Sequence, residues 1–172
     1  MGKIKQNTKQ DAFVTNLLIS LLMRFPEIMA INFDMPKEKC KFTFILQGAV
    51  SKEEYALFKS KLDESLDAFN ELTGDELSVL TKLVRSGKMS LIEITCKTDA
   101  LCLENIQLLT SLIDVSFPSI ILKDTDIDDI VRDEEMFRQE EIIEYLLSHT
   151  AGAKKENLIA FREAGKVYVY DK

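Results

Sequence analysis

The sequence predicts an α+β protein: a two-layer sandwich with a ferredoxin-like βαββαβ core, an extra helix and strand before it, and a helix plus a β-hairpin after it. Three observations carry this. Apolar residues alternate with polar ones at 29–35, 42–46, 90–96 and 158–170, the period of a half-buried strand. Apolar stripes at i, i+3, i+4 and i+7 fill stretches between them. From Phe42 onward these pieces fall in the order strand, helix, strand, strand, helix, strand.

The first ten residues carry Lys3, Lys5 and Lys9 with no acid and read as a disordered start. Asp11 to Phe25 follows as a helix striped by Phe13, Val14, Leu17, Leu18, Leu21, Leu22 and Phe25. Ala12, Ile19 and Met23 widen the stripe, so this helix is either buried on two sides or meets a partner. Met29, Ile31, Phe33 and Met35, then Phe42, Phe44 and Leu46, flank a Pro36-Lys37-Glu38-Lys39 turn and predict a hairpin. Ser51 with Glu54 three residues on is a capping box. The helix it opens is striped by Tyr55, Phe58, Leu62, Leu66, Phe69 and Leu72, and Gly74 can supply a left-handed cap.

Residues 77–85 fit either a short helix or a strand; Ser86-Gly87 before the strand Ser90 to Cys96 favours a second hairpin, with Ile92, Ile94 and Cys96 facing the core. Asp99 is then expected to cap a helix through Ile113, and Phe117-Pro118 to end it before a strand at Ile120-Ile121-Leu122. In a ferredoxin-like sheet that last strand lies beside the first, yet the strand at Met29 wants the same edge, so displacement of the last strand is expected. A helix from about Asp133 to His149 comes next, stopped by Gly152. Leu158 to Lys172 turns at Ala164-Gly165 and reads as a terminal hairpin, which 153–172 could extend as an arm. One α+β domain over 1–172 is the expected organisation.

Composition narrows the function classes. With 46% hydrophobic and 30% charged residues over 172, the chain is ordinary globular material. Its apolar run at Leu17 to Phe25 is too short for a membrane span. Three cysteines in no metal-binding spacing, and no charged-then-apolar N-terminus, lead us to expect free thiols and a cytoplasmic protein. A net charge of −7 argues against non-specific nucleic-acid binding.

Between Asp124 and Glu144 ten acids face two bases. Asp124, Asp126, Asp128 and Glu135 occupy positions 1, 3, 5 and 12 of a twelve-residue window, as in an EF-hand, so they are the candidate ligands for Ca²⁺ or Mg²⁺. Asp129 where that loop wants Gly, Arg132 at position 9, and a preceding strand all depart from the pattern. A solvated turn that charges the following helix is the plainer reading, with no cofactor. Carboxylates past a strand end could also serve a metal-dependent enzyme acting on phosphorylated substrates, but no phosphate loop accompanies them. The single histidine, His149, sits at a helix end, and no catalytic residue can be assigned.

The terminal hairpin interleaves Phe161, Tyr168 and Tyr170 with Arg162 and Lys166, after Lys154 and Lys155, a mixture found in proteins that bind single-stranded RNA. The reading preferred from sequence is a non-enzymatic interaction or regulatory domain acting as a homodimer. Its partner-binding residues would be Glu134, Glu140, Glu141 and Glu144 on the acidic helix, with Tyr168 and Tyr170 on the hairpin.

Overall fold

A computed structural model of the chain describes residues 9–124, 133–149 and 157–171, with side chains at 13–124, 138–149 and 157–171. Alternation in the sequence becomes six strands: β1 (Ala30–Asp34), β2 (Lys39–Leu46), β3 (Val79–Ser86), β4 (Met89–Lys97), β5 (Asn157–Glu163) and β6 (Lys166–Asp171). They form one antiparallel sheet in the order β3-β4-β2-β1-β5-β6. Four helices accompany it: α1 (Lys9–Arg24), α2 (Lys52–Thr73), α3 (Leu103–Ser116) and α4 (Asp133–Leu147). Three times in the chain a helix is followed by a hairpin, as α1-β1-β2, α2-β3-β4 and α4-β5-β6, with α3 inserted before the third.

Ile31, Phe33, Phe42, Phe44, Leu46, Ile92, Ile94, Cys96, Leu158 and Ala160 point from the strands into one core with buried side chains of all four helices. The helices therefore cover one face of the sheet. Helix α1 packs against β5 and β6 on one side and against α4 on the other, which answers its wide apolar stripe. Val14, Leu17, Leu18, Leu21 and Leu22 are at most 1% exposed.

Local signals at α2 act as read. Ser51 accepts from the Glu54 N–H, and Gly74 ends the helix at φ 76°, where a Cβ would be strained. Residues 79–86 and 89–97 are the hairpin favoured from Ser86-Gly87.

The ferredoxin-like order does not hold, although the α+β class does. β2, β4 and β3 lie as that fold would place them, but the edge of β2 where its last strand belongs is taken by β1. Ile120–Leu122 is left with what remains of that edge. Its Leu122 N–H bonds Ile45, its Ile120 carbonyl accepts from Gln47, and Ile121 makes one bridge to Leu46. The segment thus continues β1's line instead of standing outside it. A second correction concerns α3: Asp99 belongs to a 3-10 turn, Thr98–Ala100, and the helix starts after Cys102. The buried Asn105 side chain does the capping, accepting from the Cys102 N–H and donating to the Ala100 carbonyl. Helix α1 begins at Lys9, before the expected Asp11, and residues 1–8 of the start expected to be disordered lie outside the described residues.

Candidate interaction surface

The face of the sheet opposite the helices is built by simple alternation. Residues whose neighbours point to the core place their own side chains outward, and the cross-strand register lines these up in rows. One row runs Val84, Leu91, Ile45; the next runs Lys82, Glu93, Thr43, Ala30, Phe161, Tyr168; a third runs Leu80, Thr95, Lys41, Asn32, Ile159, Tyr170. Phe161 stacks on both tyrosines, at centroid distances of 5.5 Å to Tyr168 and 5.4 Å to Tyr170. Among the described residues no helix covers this face, and it leaves Leu80 72%, Tyr168 37% and Tyr170 41% exposed.

Charge is unevenly shared between the two layers. The open face carries Lys39, Lys41, Lys82, Lys97 and Lys166 against Asp34, Glu93 and Glu163, an excess of cations on an acidic chain. Lys41 lies 3.7 Å from Glu93, a half-exposed pair of small energetic weight. Asn32 and Asn157 sit diagonally on the same face, each burying its Oδ1 without a hydrogen-bond partner among the described residues.

Arg162, read from sequence as a phosphate-contacting residue of the hairpin, points the other way. It donates from Nε to the Ile28 carbonyl at 3.0 Å and from Nη2 to the Phe25 carbonyl at 2.9 Å. Its Nη1 lies 3.4 Å from Asp124 Oδ2, and the side chains are 5% and 13% exposed. Burial lowers the guanidinium pKa from its usual range, against the pull of Asp124. The first of the four proposed metal ligands is therefore engaged with a buried cation. Asp126, Asp128 and the side chain of Glu135 lie outside the described residues, as do Lys154 and Lys155.

On α4 the acids divide. Glu140 accepts from Arg24 Nε at 3.0 Å and Nη2 at 2.7 Å and from Gln107 at 3.3 Å, so it locks α4 to α1 and α3. Glu141 and Glu144 are exposed, and the Glu134 side chain lies outside the described residues. A polar cleft of about 360 Å³ lies beside this lock, lined by Arg24, Phe25, Glu27, Gln107, Thr110, Ser111 and Asp114. At its rim Lys123 bridges Asp114 at 2.7 Å and Glu27 at 3.9 Å. Burial raises the Glu27 carboxyl pKa, with Asp114 adding to the rise, and the hydrogen bond to Asp114 raises that of Lys123.

Cys40 and Cys96 face each other across β2 and β4 as buried thiols, and burial pushes Cys96 up to about 12 and Cys40 well above the ordinary thiol range. They are core residues, not nucleophiles. Ser148 and His149 side chains lie 2.9 Å apart at the end of α4, and the ring of His149 packs at 4.3 Å from Tyr145. Among the described residues no cluster of three or more ligand-type side chains could hold a metal ion, and no helix is long and apolar enough to cross a membrane. Comparison with family models, curated proteins and solved structures finds no match for the chain.

The surface brings Tyr168 and Tyr170 together with residues that sequence reasoning passed over: Ile45, Thr43, Leu91 and Val84. Their signal was present in the alternation of β2 and β4, where Ile45, Met89 and Leu91 interrupt an otherwise polar outward set.

Proposed function

We propose that the protein is a non-enzymatic interaction domain that binds a protein partner on the helix-free face of its sheet and works as a homodimer. One observation carries this reading: a six-stranded sheet with four helices on one side presents the aromatic cluster Phe161-Tyr168-Tyr170 and the aliphatic row Val84-Leu91-Ile45 on the other. Apolar groups on an open sheet face, set among charges, are a docking surface. Glu141 and Glu144 on α4 add a separate acidic surface for a basic partner, while Glu140 is spent inside the molecule. The test is to substitute Leu91→Glu and Glu141→Lys separately in the full chain, then compare sedimentation and partner capture with wild type. Loss of capture with Leu91→Glu in a protein that melts normally supports the sheet face; capture indifferent to both substitutions ends the partner-binding reading, and a wild type that sediments as a monomer ends the homodimer reading.

A second reading rests on the same face. Its lysines outnumber its acids and share the face with three rings, a combination that binds single-stranded nucleic acid by stacking and phosphate contact. It predicts retention on single-stranded RNA that weakens steeply with salt and is lost in Tyr168→Ala/Tyr170→Ala.

A further inference from the structure

Resting on the homodimer reading, we propose that the second copy docks on the outer edge of β6, the two strands pairing antiparallel about a two-fold axis at Val169. β6 ends the sheet, and no described strand lies beyond it. The two edges of the sheet are unlike. β3, at the other end, carries Lys82 and Arg85 within the strand, charges of the kind that blunt an edge. β6 keeps its charges at its ends, Lys166 and Asp171, and between them runs Val167-Tyr168-Val169-Tyr170 with no charge, no proline and no bulge.

Which backbone groups face outward follows from the turn. Glu163 and Lys166 flank the two-residue loop Ala164-Gly165, whose φ of 50° and 77° belong to a type I′ hairpin. In such a hairpin the flanking residues exchange both hydrogen bonds, and bonded and non-bonded pairs then alternate. Lys166, Tyr168 and Tyr170 thus aim their N–H and C=O at β5, and Val167, Val169 and Asp171 aim theirs outward. The Arg162 N–H, donated to Met29 on β1 and away from β6, fits the same alternation.

A second β6 meets these groups in one symmetric register. Val169 pairs with itself across the axis and Val167 with the partner's Asp171, so every outward N–H and C=O of the strand is matched. Tyr168 then stands opposite the partner's Tyr170 at a non-bonded site, where cross-strand side chains come closest. Both tyrosines lie on the open face, already stacked with Phe161, so the pairing closes an aromatic cluster shared by two chains. Because residues of like parity oppose each other, the helices of both copies fall on the same side. Two six-stranded sheets become one, and the helix-free faces merge.

Sedimentation of the full chain at micromolar concentration tests this, with a thermal melt to check folding. Wild type is expected to be a dimer. Tyr168→Lys/Tyr170→Lys sets like charges opposite each other and is expected to give a monomer with its melt retained; Tyr168→Glu/Tyr170→Lys sets opposite charges there and is expected to restore the dimer. A monomeric wild type overturns the homodimer reading and this proposal with it. A dimer untouched by the lysine pair overturns the β6 edge alone. Should the lysine pair unfold the chain, Tyr168→Cys/Tyr170→Cys decides: mild oxidation yields a covalent dimer if β6 is the interface, and no cross-link if it is not.

Discussion

The guanidinium of Arg162 lies 3.4 Å from the carboxylate of Asp124, and the same side chain bonds the carbonyls of Phe25 and Ile28. One residue of β5 thereby joins the end of α1, the approach to β1 and the segment that follows α3. The Phe25 carbonyl, one residue past α1, also accepts from the Ile28 N–H at 3.1 Å, and a cation beside it meets the negative end of the helix. Arg162→Ala is expected to cost about 3–5 kcal/mol, the range for breaking one side of a buried charged pair. Arg162→Lys should recover little, because a single ammonium cannot serve three acceptors in a fork. Urea unfolding midpoints of the two variants check this; a loss below about 1 kcal/mol for the alanine variant would contradict it.

Ser90 is fully buried and closes the connection between β2 and α2: it accepts from the Val50 N–H at 3.2 Å and donates to the Gly48 carbonyl at 2.7 Å. Ser90→Ala removes both partners' bonds without opening space for water. The expected loss is roughly 1–3 kcal/mol, read as a lowered denaturation midpoint with an unchanged slope.

Asn32 poses the opposite case. Its Oδ1 is buried without a hydrogen-bond partner among the described residues, in a central strand between Lys41 and Ile159. Asn32→Val supplies a better strand former and deletes an unsatisfied atom, and should stabilise the protein by about 1 kcal/mol. Calorimetry gives the sign directly, and a destabilised variant would mean that the amide is satisfied in solution.

Glu27 sets a pH dependence. Its carboxyl pKa is raised, first by burial, in the company of Asp114 and Lys123. A raised folded-state pKa means that the folded protein holds this proton more tightly than the unfolded chain. The contribution therefore favours folding below the ordinary carboxylate range and is lost as pH climbs through the raised value. Glu27→Gln should flatten that part of the stability profile and raise the melt at neutral pH, which a series of melts across pH measures.

The legible part of the fold was its local grammar. Period two marked the strands, Ser51 with Glu54 and Gly74 marked the ends of α2, and Ser86-Gly87 marked the β3-β4 turn. What escaped depended on competition and distance. Ile120–Leu122 is as apolar as a strand, but whether it becomes one turns on who holds the edge of β2, and β1, joined to β2 by a short turn, holds most of it. Asp99 and Asn105 are both capping residues; burial of Asn105 against the Ala100 carbonyl decides between them. Arg162 and Glu140 looked like surface charge because their partners, Phe25 and Arg24, are more than a hundred residues away in the chain. The same holds for the candidate site: alternation placed Tyr168 and Tyr170 on one side of the hairpin, while the neighbours that make that side a platform come from β1, β2, β3 and β4.

The pairing of β1 with β5 also has a meaning for the order in which the molecule is made. Residues of β1 wait for a strand made more than a hundred residues after them, and the Phe25 and Ile28 carbonyls wait with them for Arg162. Until β5 is made, that edge of β1 presents unpaired backbone groups, the kind of edge on which a wrong strand can pair.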